Sequence, residues 1–144
     1  MEIAIRKACA ADSRAIWEIC REDMGYDCLP ELVSSKLQRL DSTHEAVFAA
    51  ESDNRVIGFI HVEKYDTLYL ETLANILGLA VRADSRRKGA GHLLMEAAEK
   101  WAKEVGAAGV RLNSGAERAD AHNFYRSAGF ISEKQQLRFM KLFK

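Results

Sequence analysis

The stretch LGLAVRADSRRKGAGHLLM, Leu77 to Met95, joins an apolar run to three consecutive cations and to Gly-Ala-Gly, then passes directly into a helical repeat. The run that leads into it, Leu73 to Val81, is apolar almost throughout, as a central strand covered on both faces requires. Beyond it, Leu93, Leu94, Ala97, Ala98, Trp101 and Val105 recur at helical spacing, and Gly106 ends that helix as a C-cap. Gly89 and Gly91 leave backbone N–H groups unshielded where the first helical turn has unpaired donors and the positive end of its dipole. Arg86, Arg87 and Lys88 add fixed charge. The junction Arg86, Arg87, Lys88, Gly89, Ala90, Gly91 and His92 therefore predicts a cradle for a phosphate-bearing ligand. A glycine-containing helix entry with a solvated basic face is the alternative that so short a pattern leaves open. The two familiar phosphate loops do not fit, because Gly-Lys-Ser/Thr is missing and the dinucleotide fingerprint counted from Gly89 needs glycine where Leu94 stands.

Outward from this junction the pattern is mixed. EIAIRKA, with Ile3 and Ile5 on one face, predicts a short strand. Asp12 is the expected N-cap of a helix carrying Ile16, Ile19, Cys20 and Met24 on one side, broken at Gly25. A second helix begins with Pro30 in its first turn, its buried stripe being Leu32 or Val33, Leu37 and Leu40. Glu45 to Tyr65 reads as two strands joined by a tight turn at Asp53-Asn54. After the long helix come a short strand, GVRLN, and an amphipathic helix, RADAHNFYRSAG, capped by Gly129. FISEKQQLRFMKLF is expected to form an antiparallel pair. The order β-α-α-β-β-β-α-β-α-β-β predicts an α/β (α+β) fold, with a right-handed parallel crossover between the fourth and fifth strands of a mixed sheet.

A chain of 144 residues with one proline has the size of one domain, 1–144. Lys+Arg and Asp+Glu both total 21, so no global basic field points to nucleic acid or an anionic membrane. Cys9, Cys20 and Cys28 form no CxxC pair and have no histidine at ligand spacing, which predicts neither disulfides nor a metal site. The start of the chain has no apolar h-region and no stretch is long enough to span a bilayer, so a soluble cytoplasmic protein is expected.

The segment Leu77–Met95 resembles the signature of the GNAT superfamily of acyl-CoA-dependent N-acyltransferases, an Arg/Gln-x-x-Gly-x-Gly/Ala loop whose defined positions Arg86, Gly89 and Gly91 occupy. AHNFYRSAGF is similar to that family's second block, through Ala121, Tyr125, Gly129 and Phe130. The strand order also agrees, so the resemblance runs over nearly the whole chain. It implies a mostly antiparallel central sheet with helices on both faces, opened by a parallel splay between the fourth and fifth strands. It further implies acetyl-CoA as co-substrate, with the loop holding the coenzyme A pyrophosphate.

By that resemblance, the amine of a small molecule attacks the thioester directly, without a covalent enzyme intermediate. Acetylation of protein lysines or N-termini, and acyl-CoA binding without turnover, are the competing readings. Backbone groups near Leu79 and Val81 are expected to pair with the pantetheine arm, with a bulge in the strand and the reactive carbonyl near Ala80. Tyr125 matches the tyrosine that donates a proton to the leaving thiolate. An alkylammonium with the pKa of lysine, about 10.4, must lose a proton before attack. Asn75 and Gly78 stand where relatives carry a glutamate for that step, which leaves Glu71 or a water chain as the expected base. Asp23, Asp27, Glu31 and His61 are weaker candidates. Asn113, Arg118 and His122 are read as coenzyme contacts, although Arg118 and His122 serve equally well for an acidic group on the acceptor, or His122 as a cap of its own helix. The aminoalkylphosphonate and aminoglycoside branches are the nearest in phrasing. Tyr26, Tyr65, Tyr69 and neighbouring acids either give a cationic amine an acidic, aromatic entrance, with Tyr26 and Asn75 as acceptor contacts, or are the acidic, tyrosine-bearing loops common on surfaces that bind nothing. Exposed edges at Phe139 and Met140 suggest a homodimer.

Overall fold

The computed structural model describes residues 2–115, 118–132 and 134–143. They divide into two compact units, residues 1–112 and 113–144. In the first, strands β1 (Ala4–Lys7), β2 (Glu45–Ser52), β3 (Arg55–Tyr65), β4 (Leu73–Val81) and β5 (Val110–Arg111) lie side by side in that order. All neighbours are antiparallel except β4 and β5, which run parallel through a crossover containing helix α3 (Ala90–Glu104). Helices α1 (Ser13–Glu22) and α2 (Pro30–Gln38) separate β1 from β2.

The strand period of two sorts the core onto two faces. On one, Ile16 and Ile19 of α1 meet Val47, Ala49, Phe59 and Ala80, with Met24, Val33, Leu37 and Leu40 packed against them. Val33 thus fills the stripe position left open between it and Leu32, which is exposed. On the other face α3 lies against β2, β3 and β4, burying Leu94, Met95, Ala98 and Trp101. Large apolar side chains buried this completely contribute roughly 1.5–3 kcal/mol each. Gly58 permits the closest approach in this layer, since a Cβ there would sit 2.8 Å from the Ala80 carbonyl oxygen. The β2–β3 turn is the one expected: Asp53 and Asn54 take φ of 52° and 61°, as a two-residue hairpin loop of this twist demands.

Two local expectations are corrected. Asp12 precedes α1 but does not cap it; its carboxylate accepts from Nη1 and Nη2 of Arg6, at 2.8 and 2.9 Å, and from the Cys9 N–H at 2.8 Å. A guanidinium offering two parallel donors outcompetes a single helix N–H. The antiparallel pair expected at 130–143 is also absent: the described residues there form no strand, and Leu137, Phe139, Met140, Leu142 and Phe143 are exposed. Alternation along a sequence makes a strand only where a ladder partner takes its N–H and C=O groups. In this second unit α4 (Ala119–Ser127) is the described helix, followed by Gly129 at φ 96°.

Candidate active site

The pairing of β4 decides what it offers. Thr72 and Ala74 face β5, the Thr72 carbonyl accepting from Ala108 N and Ala74 N donating to the Gly109 carbonyl. The β4–β5 register ends at Asn75↔Arg111. On the β3 side His61 pairs with Gly78 but Val62 with Ile76, so Leu77 is an extra residue and the expected bulge is present. Arg82 N donates to the Ile57 carbonyl at 2.7 Å, and the alternation of antiparallel pairs makes Phe59–Ala80 and His61–Gly78 the exchanging pairs. The backbone groups of Leu79 and Val81 therefore point to the edge that β5 has left. The bulge has changed which residues face that edge, and the change makes a strip of backbone available to a ligand.

The strip runs into a tethered loop. Arg82 is buried, its Nε donating to the Val56 carbonyl at 3.0 Å and its Nη2 pairing with Glu18 at 3.2 Å. Ala83 N donates to Asp23 Oδ1 at 3.0 Å, which ties the loop to the end of α1. The Ser85 hydroxyl first, and Arg55 after it, hold the Asp84 carboxyl below its ordinary range. Arg86, Arg87 and Lys88 are exposed, and Arg86 Nε donates to the Val81 carbonyl at 3.1 Å. Gly89 enters the helix at φ 92°, a left-handed conformation that side chains disfavour. Ala90 and Gly91 follow in the first turn, where amides have no carbonyl one turn earlier, and Leu93 N is the first to close back, onto Gly89. The loop thus presents cations and helix-start amides beside the end of the β4 edge, with His92 exposed in the same turn.

On the α1/α2 face, a file of polar residues crosses four strands in register: Glu45, Glu63, Asn75 and Arg111. Asn75 Nδ2 donates to Glu63 Oε2 at 2.9 Å, and Arg111 Nη1 donates to Asn75 Oδ1 at 2.7 Å while stacking 4.3 Å over the Tyr65 ring. Two carboxylates directly opposite one another repel. Here each has a histidine: His44 Nε2 lies 3.4 Å from Glu63, and His61 Nε2 lies 2.7 Å from Glu45. Asn75, expected as an acceptor contact, has both ends of its amide committed within this file. Glu71 stands exposed in the loop before β4, and Tyr26 stands exposed between α1 and α2. The Trp17 indole donates to the Cys28 carbonyl at 2.7 Å and pins that loop. Glu45, Glu63 and Arg111 escaped the sequence reading, because only the register brings them together.

In the second unit Tyr125 packs edge-on between Phe124 and Phe130, with ring centroids 5.6 and 6.0 Å away. Burial pushes its phenol above the usual value of 10, against the opposing pull of Arg118. His122 Nε2–H donates to the Gly115 carbonyl at 2.8 Å, so the ring braces the approach to its own helix. Arg118 occupies the N-cap position of α4, and Asn113 is exposed beyond β5. Among the described residues no cluster of His, Cys, Asp or Glu could hold a metal, and no helix is long and apolar enough to cross a membrane.

Comparison with known proteins identifies the family and the fold. Residues 13–130 match the acetyltransferase (GNAT) family, a match that runs through both units. N-acetyltransferase YhdJ of Bacillus subtilis is 41% identical over 64 residues, 44% of this chain, and the matched part spans 45% of that relative's length. Streptothricin acetyltransferase of Escherichia coli is 28% identical over 122 residues, covering 81% of this chain and 68% of the relative. Among solved structures, aminoglycoside acetyltransferase AAC(6')-Iy with a coenzyme A bisubstrate analogue superposes with a TM-score of 0.84 at 17% identity, over 99% of both chains. The aminoglycoside acetyltransferase meta-AAC0020, from an uncultured soil metagenomic sample, gives 0.79 at 24% identity over 99% of this chain and 97% of that one. These last two likenesses establish a shared fold.

Proposed function

Because the chain belongs to the GNAT family of acetyltransferases, we propose that it moves an acetyl group from acetyl-CoA to a primary amine of a small molecule. The observation that carries this reading is the edge of β4 beyond Asn75, which no strand pairs among the described residues, running into the cationic start of α3. A pantetheine arm carries amides that need partners, and Leu79 and Val81 present backbone groups of matching kind on an edge without a strand. A pyrophosphate needs compact positive charge and N–H donors, which Arg86, Arg87, Lys88, Ala90 and Gly91 supply. These residues fit the coenzyme, and the thioester is the chemistry it brings.

The choice of a small cationic amine is supported by Glu45 and Glu63 on the sheet face beside that edge and by the acidic, tyrosine-bearing loops at Tyr26 and Tyr69. It is supported too by the substrates named for the streptothricin and aminoglycoside relatives. The amine nitrogen attacks the thioester carbonyl, so that an N–C bond forms as the C–S bond breaks. By its position in the second family block, Tyr125 is the proposed proton donor to the departing thiolate, with Asn113, Arg118 and His122 as coenzyme contacts.

Steady-state thiol release from acetyl-CoA over streptothricin-like amines, aminoglycosides, polyamines, aminophosphonates and lysine peptides tests this reading, with product mass as confirmation. A small amine is expected to give saturable release and a product heavier by one acetyl group. Release with peptides alone would reassign the acceptor, and coenzyme binding without release at any pH from about 6 to 9 would leave a binding module.

A further inference from the structure

His61 on β3 lies directly opposite Gly78 on β4, the first residue beyond the bulge at Leu77. This is the far end of the unpaired β4 edge, measured from the cations at 86–88. An acyl-pantetheine arm held through its phosphates at that loop and its amides at Val81 and Leu79 would bring its acyl end toward this point. Glycine at 78 leaves space on the α1/α2 face: a Cβ there would lie 3.7 Å from the Phe59 ring and 3.8 Å from Met24 Cε, which is contact without collision. Such a glycine inside a strand marks a place where a ligand can come close to the backbone.

The side chain beside that space is built for proton transfer. His61 Nε2 is 2.7 Å from Glu45 Oε1, and the two side chains remain 30% and 22% exposed. A carboxylate that accepts from Nε2–H fixes the tautomer and leaves Nδ1 with its lone pair. Glu63 accepts from Asn75 and faces His44, and Asp23 holds the Ala83 amide, which leaves Glu71 in the loop before β4 as the rival carboxylate.

We infer that His61, oriented by Glu45, takes the proton that the acceptor ammonium must lose, with the amine nitrogen lodged over Gly78. This rests on the acetyl-transfer reading above. The balance is closed: one proton passes from the ammonium to His61 and on to solvent, and the neutral amine forms the N–C bond. As the C–S bond breaks, the thiolate takes the Tyr125 proton and the second N–H proton restores the tyrosine, giving amide, free thiol and one released proton. The charged groups placed with His61 on this sheet face are Glu45 on β2, 2.7 Å from its Nε2, Glu63 two residues along β3 and bonded to Asn75, and Arg111 on β5 beyond Asn75.

His61→Gln is expected to lower kcat on the order of 100-fold and to remove the limb by which kcat rises with pH, while the dissociation constant of acetyl-CoA stays within about twofold. Glu45→Gln should lower kcat about 10-fold with the amine KM little changed, and the 15N shifts of the His61 ring should lose the Nε2–H tautomer that wild type shows. Gly78→Ala, which fits sterically, should keep its melting temperature and coenzyme affinity but raise the amine KM about 10-fold or more by filling the amine's place. If wild type acetylates an amine and His61→Gln keeps its kcat and pH profile, or Glu71→Gln carries the loss instead, this inference is overturned and the acetyl-transfer reading stands. If wild type releases no thiol with any amine, both fall together.

Discussion

The edge of β4 and the face of β4 are a few ångströms apart, yet they were made by different means. The edge is a matter of contiguous sequence: strand, bulge, cations, glycine and helix start follow one another from Leu73 to Gly91. The face is a matter of register: Glu45, His61, Glu63, Asn75 and Arg111 meet because four strands align, the last of them brought in by the long crossover through α3. A ligand with an invariant shape can be served by a local motif, whereas a variable acceptor is read by residues that no single segment contains. If that division is right, the two sides of one strand can be damaged separately.

The largest expected effect is on the edge. Arg86→Ala removes a cation from the loop and releases the Val81 carbonyl, and it should weaken acetyl-CoA binding by about 10- to 100-fold in calorimetry while the amine KM holds. Comparable loss in both parameters would mean that edge and face are not separable. Gly58→Ala presses on the Ala80 carbonyl oxygen beneath both regions and should cost about 1–3 kcal/mol in denaturant unfolding. It should also impair coenzyme and amine parameters together, because both depend on the position of β4.

Asn75→Leu cuts the polar file at its centre, leaving Glu63 and Arg111 each short of a partner. It should cost about 1–2 kcal/mol of stability and raise the amine KM, with coenzyme affinity retained. The smallest effect is expected outside both regions, at Asp12. Arg6 holds the Asp12 carboxyl below its ordinary value of 3.8, burial opposes this, and the Cys9 N–H supports it. A depressed folded-state pKa gives stability that is present above the unfolded value and lost as pH falls through the folded one. Asp12→Asn should therefore cost about 1 kcal/mol near neutrality and flatten the loss of stability below pH 3.8, as thermal unfolding across an acid series would show.

Most of the scaffold was legible in the sequence because its signals are local. The Asp53-Asn54 turn, Pro30 at a helix start, Gly106 and Gly129 beyond helix ends, and the apolar run of β4 each declare themselves within a few residues. Asp12 was misread because its partner, Arg6, competes with the helix N–H it was expected to serve. Residues 130–143 were misread because alternation does not show whether an edge is available. At the site, the phosphate loop was legible and the bulge was expected, but its place at Leu77, and with it the parity of Leu79 and Val81, came from the register. His61 looked like an ordinary strand histidine until Glu45 and Gly78 were found on either side of it.

The most direct test of the account is amide-resolved NMR during titration with acetyl-CoA. Coenzyme on the free edge of β4 should shift the amides of Leu79, Val81, Ala90 and Gly91 and slow the exchange of Leu79 and Val81, leaving those of Glu63, Asn75 and Arg111 nearly still. Saturable binding that moves Glu63, Asn75 and Arg111 but spares Leu79 and Val81 would contradict it.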